Sequence, residues 1–270
     1  MPKPTLLAIA LVLCLSAAGR AAEPAGALTP EKAWRDLPAY TYDQPRRLLR
    51  YLEAEIQHAA GDAERATAVA DRLAAVLENP RATLDAKRFA CRWLPLVAGD
   101  AHVPVLARLL QKKDTHETAR QALTEISGEA SGKVLRDALA KAKGAKVVGL
   151  INALGARRDV KAVGLIAGHL DAKDAEVAAA AADALGNIGT IEAADALDAA
   201  GKTAGDDRAD ALRQARLRCA RRLAERGRDS GDKALRERAL AMLKDIFAAD
   251  LPVRRRLAAM TGIVEAGGQW

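Results

Sequence analysis

The sequence predicts an all-α protein, an α-solenoid built from stacked helix pairs. Apolar residues recur at helical spacing, as in Leu48, Leu49, Leu52 and Ile56, and no stretch alternates as a strand would. Glycines and candidate N-capping residues interrupt the chain at short intervals, which predicts helices of about three turns. A short motif also repeats at a fixed interval, and this repetition decides the fold class.

The repeated motif is an alanine-leucine pair followed within a few residues by glycine. It occurs at Ala122-Leu123, Ala153-Leu154 and Ala184-Leu185, at intervals of 31 residues, and Leu94 stands 29 residues before Leu123 in a related run. A unit of this length is one helix pair. Such a small pair cannot bury its own apolar face, so neighbouring pairs must stack.

This pattern divides the chain into three parts. We expect a signal peptide over residues 1–22, a leader over 23–42 that caps the first repeat with Trp34, Tyr40 and Tyr42, and a repeat array over 43–270. A leading helix over 43–58 precedes six predicted pairs: 62–78 with 83–97, 100–110 with 115–126, 129–142 with 145–155, 159–170 with 174–187, 190–202 with 207–226, and 232–248 with 252–266. The last two pairs have longer helices and fit a TPR-like repeat equally well.

One run carries a family resemblance. The segment from Glu176 to Gly189, which reads EVAAAAADALGNIG, together with Ala193 to Leu197, resembles the HEAT-like repeat of many bacterial proteins, including the phycobilin lyase group. Residues 115–135 and 145–165 match more loosely. The resemblance covers residues 62–203 and implies an all-α solenoid. It implies little about activity, because such repeats serve scaffolds, regulators and a few enzymes.

The first residues have the pattern of an export signal. Lys3 precedes an apolar run from Thr5 to Ala18, and the small residues Gly19 and Ala21 flank a plausible cleavage site. This apolar run is shorter than the roughly 20 residues that span a bilayer. We therefore expect a periplasmic or secreted protein without a membrane anchor.

Composition places a basic surface at one end of the array. The formal charge of +7 falls to +5 without residues 1–22, which is too small to indicate nucleic acid, but residues 208–256 alone carry +8. The candidate basic face consists of Arg213, Arg218, Arg221 and Arg222. It could meet an acidic partner, an anionic polymer or a membrane surface, or it could be a solvated helix face.

A second candidate site comes from aligning the second helices of successive pairs. Two residues before each repeated leucine stand Arg92, Gln121, Asn152 and Asp183, all of them polar. Equivalent positions in a solenoid line up, and second helices usually form the concave face. We call these four residues the polar row and predict that a partner contacts them, although a solvated surface would also be polar.

The sequence offers no catalytic, cofactor or metal site. His58, His102, His116 and His169 lie on four different predicted helices without ligand spacing. Cys91 and Cys219 lie four repeats apart, whereas a disulfide needs Cα atoms within about 7 Å, so we expect two buried free thiols.

We therefore predict a non-enzymatic protein that binds a protein partner as a scaffold or adaptor, either by itself or as one segment of a larger assembly. The alternatives are a lyase-type enzyme with its site in the groove and a binder of anionic polymer through residues 208–256. The last pair holds many apolar residues, among them Leu243, Leu257, Met260 and Val264. We expect further repeats, a second copy stacked end to end, or a partner subunit to cover them, with Trp270 at that junction.

Overall fold

The computed structural model describes residues 28–249 and 252–267, with Asp206 and Asp207 described by their backbone only. The predicted signal peptide over 1–22 and Trp270 lie outside these residues. The described residues form fourteen α-helices and three short 3₁₀ turns, with no strand among them. The all-α solenoid is therefore confirmed.

Two helices, α1 (Pro30–Asp36) and α2 (Arg47–Ala59), precede the six pairs. The first helices of the pairs are α3 (Ala63–Glu78), α5 (Val103–Leu110), α7 (Glu129–Leu139), α9 (Val163–Ala167), α11 (Ile191–Thr203) and α13 (Lys233–Ala248). The second helices are α4 (Leu84–Val97), α6 (His116–Glu125), α8 (Lys146–Ala156), α10 (Ala175–Ile188), α12 (Asp206–Ser230) and α14 (Val253–Glu265). Each second helix packs on the next, in the order α4, α6, α8, α10, α12 and α14.

The repeated leucines form the centre of the core. Leu94, Leu123, Leu154 and Leu185 are all fully buried, on α4, α6, α8 and α10 respectively. The predicted register of the second helices is therefore correct. Alanine fills much of the space between these leucines, which lets neighbouring helices approach closely.

Short polar side chains cap several of the helices. Asp62, Asp174 and Asp232 each accept a hydrogen bond from a backbone N–H in the first turn of α3, α10 and α13. Thr190 does the same for α11. These caps satisfy N–H groups that have no partner within the helix.

The prediction for α12 was wrong in length. Gly227 was expected to stop this helix, but the helix continues to Ser230 and ends at Gly231, whose φ is +73°. Glycine adopts this left-handed conformation without steric cost, so Gly231 is the better helix terminator. Gly227 instead leaves room for a neighbour, because a Cβ there would lie 2.6 Å from Cγ of Arg236.

Arginines join successive second helices at their carboxyl ends. Arg157, just after α8, donates from Nη1 to the carbonyls of Leu123 at 2.9 Å and Thr124 at 3.1 Å, near the end of α6. Arg226 on α12 donates to the carbonyl of Gly189 at 2.7 Å, at the end of α10. The last carbonyls of a helix have no donor within the helix, and these guanidinium groups donate to them from the next repeat.

No helix among the described residues is long and apolar enough to cross a membrane.

Candidate partner-binding face

The polar row lies on four consecutive second helices. Arg92, Gln121, Asn152 and Asp183 are all exposed, on α4, α6, α8 and α10. Each stands two residues before a fully buried leucine, and the four helices stack in sequence. The four side chains therefore lie on one face of the array.

This row continues onto α12 through an ion pair. Nη1 of Arg218 lies 2.9 Å from Oδ1 of Asp183 and 3.4 Å from its carbonyl oxygen. The sequence presented the polar row and the basic face as two separate candidates. The structure joins them into one surface at the contact between α10 and α12.

Beyond Arg218 the surface opens into a cleft of about 730 Å³ between α12 and α14, which we call the arginine cleft. Its lining consists of Gln214, Leu217, Arg218, Arg221, Arg222, Glu225, Arg228, Arg255 and Glu265. Five arginines against two glutamates give this cleft a positive balance. Guanidinium groups held in a cleft favour carboxylates and other planar anions, which they bind through two parallel hydrogen bonds.

Three of the four predicted basic-face residues line the arginine cleft, and Arg213 does not. Arg213 lies 4.0 Å from Asp210, and its Nε is buried without a hydrogen-bond partner. Arg222 pairs with Glu225 at 2.5 Å. Arg221 is exposed, and no ion pair engages it among the described residues. Arg221 is therefore the cleft arginine that is free to bind an incoming anion.

Sequence reasoning missed Gln214, Glu225 and Arg228, although a signal for them existed. Positions 214, 218, 221, 225 and 228 follow each other at intervals of three and four, so they share one face of α12. Arg255 and Glu265 could not be found in this way because they come from α14. Their place in the cleft depends on how α14 packs against the preceding helices.

The cleft arginines are held in position by neighbours. Arg255 donates a hydrogen bond from Nη2 to Oδ2 of Asp210 at 2.7 Å, and its Nη1 forms an ion pair with Oδ1 at 2.6 Å. The Arg255 guanidinium thereby lowers the pKa of the Asp210 carboxyl. Arg228 donates to the carbonyl of Glu265 at 3.1 Å. Side chains fixed before binding lose less entropy when a ligand arrives.

Many other arginines of the basic segment act as cross-links within the protein. Arg216 and Arg238 both bind Asp198, at 2.6 Å and 2.7 Å, which ties α12 and α13 to α11. Arg226 binds the end of α10, as described above. Several arginines of residues 208–256 are therefore engaged within the protein, whereas the cleft brings five arginines together on one open surface.

The leader packs against the first helices. Nε1 of Trp34 donates to both carboxylate oxygens of Glu55 at 3.0 Å, and the Arg72 guanidinium lies 5.7 Å from the Trp34 ring centroid. Tyr40 is buried, and Tyr42 is 54% exposed. Thr29 caps α1 and Pro30 begins it.

The histidines and cysteines occupy separate structural positions. His102 is buried with Nε2 3.1 Å from Asp71, and Nδ1 of His116 lies 2.6 Å from the carbonyl oxygen of Leu110. Cys91 and Cys219 are buried free thiols, as predicted. Burial raises the pKa of the Cys91 thiol to about 11 and that of Cys219 to about 12. Among the described residues no three ligand-type side chains form a potential metal group.

Comparison with known proteins returns structural likeness only. No family model and no curated protein matches the chain. The chain is similar to the complex of CpcE and CpcF of phycocyanin lyase from Nostoc sp. PCC7120, with 21% identity over 91% of this chain and 97% of that chain and a TM-score of 0.43. It is also similar to an engineered protein, with 18% identity over 88% of this chain and 69% of that one and a TM-score of 0.42.

Proposed function

We propose that this protein is an exported, non-enzymatic α-solenoid that binds a protein partner as a scaffold or adaptor. The partner presents an extended acidic segment to the polar row and the arginine cleft. The observation that carries this proposal is the ion pair that connects Asp183 of the polar row to Arg218, at the edge of a cleft with five arginines and two glutamates. Export rests on the pattern around Lys3, and N-terminal sequencing of the secreted protein, expected to begin near Ala22, tests it.

The cleft geometry favours carboxylates. Arg221 has no ion-pair partner among the described residues, and Arg218, Arg222 and Arg255 are steadied by Asp183, Glu225 and Asp210. A partner carboxylate that reaches Arg221 meets further guanidinium groups already in place. Bidentate arginine-carboxylate contacts give both affinity and a defined orientation.

The mixed polarity of the surface favours a polypeptide over a uniform polyanion. Asn152 and Gln121 are uncharged and offer both donors and acceptors, as the backbone of an extended peptide requires. A polyanion that followed the same path would instead meet the carboxylates of Asp183 and Glu225. A partner polypeptide with acidic residues at the arginine cleft and neutral residues along the polar row suits this surface better.

The titratable groups of the surface suit binding better than catalysis. The hydrogen bond from Arg222 lowers the pKa of Glu225, which holds this carboxyl in its ionised form. A general acid needs the opposite shift. The two thiols are buried with raised pKa values, whereas a nucleophilic cysteine needs exposure and a lowered pKa.

Fluorescence anisotropy with two labelled peptides tests the proposal. One short peptide is rich in glutamate, and its partner peptide carries glutamine at the same positions. We expect the acidic peptide to bind and Arg221→Glu to weaken its binding by roughly tenfold or more, because the substitution reverses a charge at the contact. The matched control is Arg81→Glu, since Arg81 is also exposed and without an ion pair among the described residues. It should leave the affinity unchanged.

Two results would contradict this function. Equal losses from Arg221→Glu and Arg81→Glu would show that the protein attracts acidic peptides through its overall charge. Tighter binding of polyphosphate or single-stranded DNA than of the acidic peptide, with a steep fall as salt rises, would identify an anionic-polymer binder instead.

A further inference from the structure

The last described helix exposes a continuous apolar stripe. Val253, Leu257, Met260 and Val264 are 67%, 53%, 40% and 57% exposed, and they follow each other at intervals of four, three and four residues. This spacing places them in one line along α14, as in one strand of a coiled coil. We call them the terminal stripe. Its apolar surface is on the order of 400 Å², and patches of this size on soluble proteins are often functional.

The terminal stripe differs from the surfaces that join second helices within the array. Between α8 and α10 the contact is Gly155 against Ala184, and between α10 and α12 it is Gly186 against Ala215. Those contacts depend on small residues and close backbone approach. The stripe carries Val, Leu and Met, whose bulk suits interlocking side chains with another helix at coiled-coil distance.

Two opposite charges flank the terminal stripe at its two ends. Arg254 follows Val253 and Glu265 follows Val264, and both are exposed without an ion pair among the described residues. They are eleven residues apart, which puts them on the same side of the stripe because eleven residues exceed three helical turns by only about 20°. Each charge opposes its own helix dipole, since the N-terminus of a helix favours acids and the C-terminus favours bases.

We propose that the terminal stripe is a self-association surface on which a second copy of this chain packs its own α14 in antiparallel orientation. A two-fold axis at the helix centre sets Val253 opposite Val264 of the second copy, and Leu257 opposite Met260. Arg254 then lies beside Glu265 of the second copy, offset by about 3 Å along the axis, and the pair occurs twice. Arg254 also lies near the C-terminus of the other α14, and Glu265 lies near its N-terminus. The helix dipole favours a base at the first end and an acid at the second.

The charges select this orientation over a parallel one. Parallel packing would place the two copies of Arg254 at the same end but on opposite flanks of the stripe, so neither Arg254 nor Glu265 would gain a partner of opposite charge. In the antiparallel arrangement each residue of the terminal stripe faces an apolar residue of the second copy, and Arg254 and Glu265 form an ion pair at each end of the stripe. A surface that complements itself under a two-fold rotation is the requirement for a closed dimer.

Sedimentation equilibrium of the purified protein from low micromolar to several hundred micromolar provides the first test. We expect a concentration-dependent dimer, and Leu257→Lys should leave only the monomer, because it places a charge in the middle of the stripe. The matched control is Leu96→Lys, since Leu96 is similarly exposed, at 49%, but lies on α4. It should dimerise normally. A monomeric unsubstituted protein, or equal loss of the dimer in both variants, would overturn the proposal.

A charge-swap cycle tests the orientation. Arg254→Glu alone and Glu265→Arg alone should each weaken the dimer several-fold, because each places two like charges side by side at both ends. The double variant that carries both substitutions should recover the original dimer affinity, since the pairs form again with their signs exchanged. Circular dichroism of each variant confirms that the helices are intact. Failure of the double variant to recover affinity would overturn the antiparallel arrangement.

Discussion

Gly155 and Gly186 lie where second helices touch each other at the backbone. A Cβ on Gly155 would fall 2.7 Å from both Cα and Cβ of Ala184, and one on Gly186 would fall 2.9 Å from the carbonyl oxygen of Ala215. Real side chains do not approach backbone atoms this closely, so these glycines set the distance between the helices. Their role is spatial, because neither has a positive φ.

At this residue scale we predict that Gly155→Ala destabilises the protein by up to about 2 kcal/mol. Overpacking against a backbone costs about 1–3 kcal/mol, and the roughly 1 kcal/mol that alanine gains over glycine within a helix offsets part of this cost. The matched control is Gly164→Ala on α9, where nothing lies within 4 Å of the new Cβ. This control should be neutral or slightly stabilising. Urea denaturation of both variants gives the comparison, and equal midpoints would contradict the contact.

The buried thiols predict a loss of stability in alkali. Cys91 and Cys219 have pKa values raised from 9.0 to about 11 and about 12 in the folded state. Their contribution is therefore complete below about pH 9, where both states keep the proton, and is lost as the pH rises towards the folded values. Each thiol lowers the free energy of unfolding by up to about 1.4 kcal/mol per pH unit in that range.

The measurement is urea denaturation between about pH 8 and pH 10.5. The double variant Cys91→Ala and Cys219→Ala should lose less stability over this range than the unsubstituted protein. Tyr40, whose pKa burial also raises, titrates in both proteins and cancels in the difference. Parallel pH profiles for the two proteins would show that the thiols do not couple to folding.

At the scale of elements, charge joins helices α11, α12 and α13. Asp198 on α11 accepts hydrogen bonds from Arg216 on α12 and Arg238 on α13, and its side chain is only 24% exposed. Arg216 also reaches Asp245 on α13 at 2.7 Å, and Arg238 also reaches Asp195 at 2.8 Å. One aspartate therefore holds two guanidinium groups from two helices.

We predict that Asp198→Asn lowers the free energy of unfolding by about 1–3 kcal/mol, because hydrogen bonds to charged groups in a partly buried site contribute at this level. Asp195→Asn is the matched control. Among the described residues Asp195 pairs only with Arg238, and it is 63% exposed, so its loss should cost less than about 1 kcal/mol. Thermal denaturation separates the two. A larger loss of stability from Asp195→Asn than from Asp198→Asn would show that Asp198 is not the central residue of this network.

The elements themselves were largely predictable from the sequence. Local capping chemistry at Asp62, Asp174 and Thr190 set the starts of helices, and the repeated leucines set their inner faces. The end of α12 was not predictable from composition, because Gly227 serves the approach of Arg236 and not a turn. That distinction depends on a contact between two helices, which no local pattern contains.

The candidate site depends even more on contacts between helices, which local sequence patterns do not contain. Arg218, Arg221 and Arg222 were found because they share one helix face. Arg255 and Glu265 join them only because α14 folds back over α12, and that packing depends on contacts such as Leu243 against Gly262. The ion pair between Asp183 and Arg218, which unites the two candidate surfaces, was also invisible because 35 residues separate its members.

For the whole molecule, the glycine contacts have a mechanical consequence. A stack of helix pairs can bend only where neighbouring helices can move closer together. The helices at Gly155 and Gly186 are already in backbone contact. Helix α6 carries Thr124 at the equivalent position, one residue after its repeated leucine, so it lacks this glycine contact. The region from α8 to α12 therefore resists compression. A ligand anchored at Arg221, on α12, would bind to the rigid end of the array.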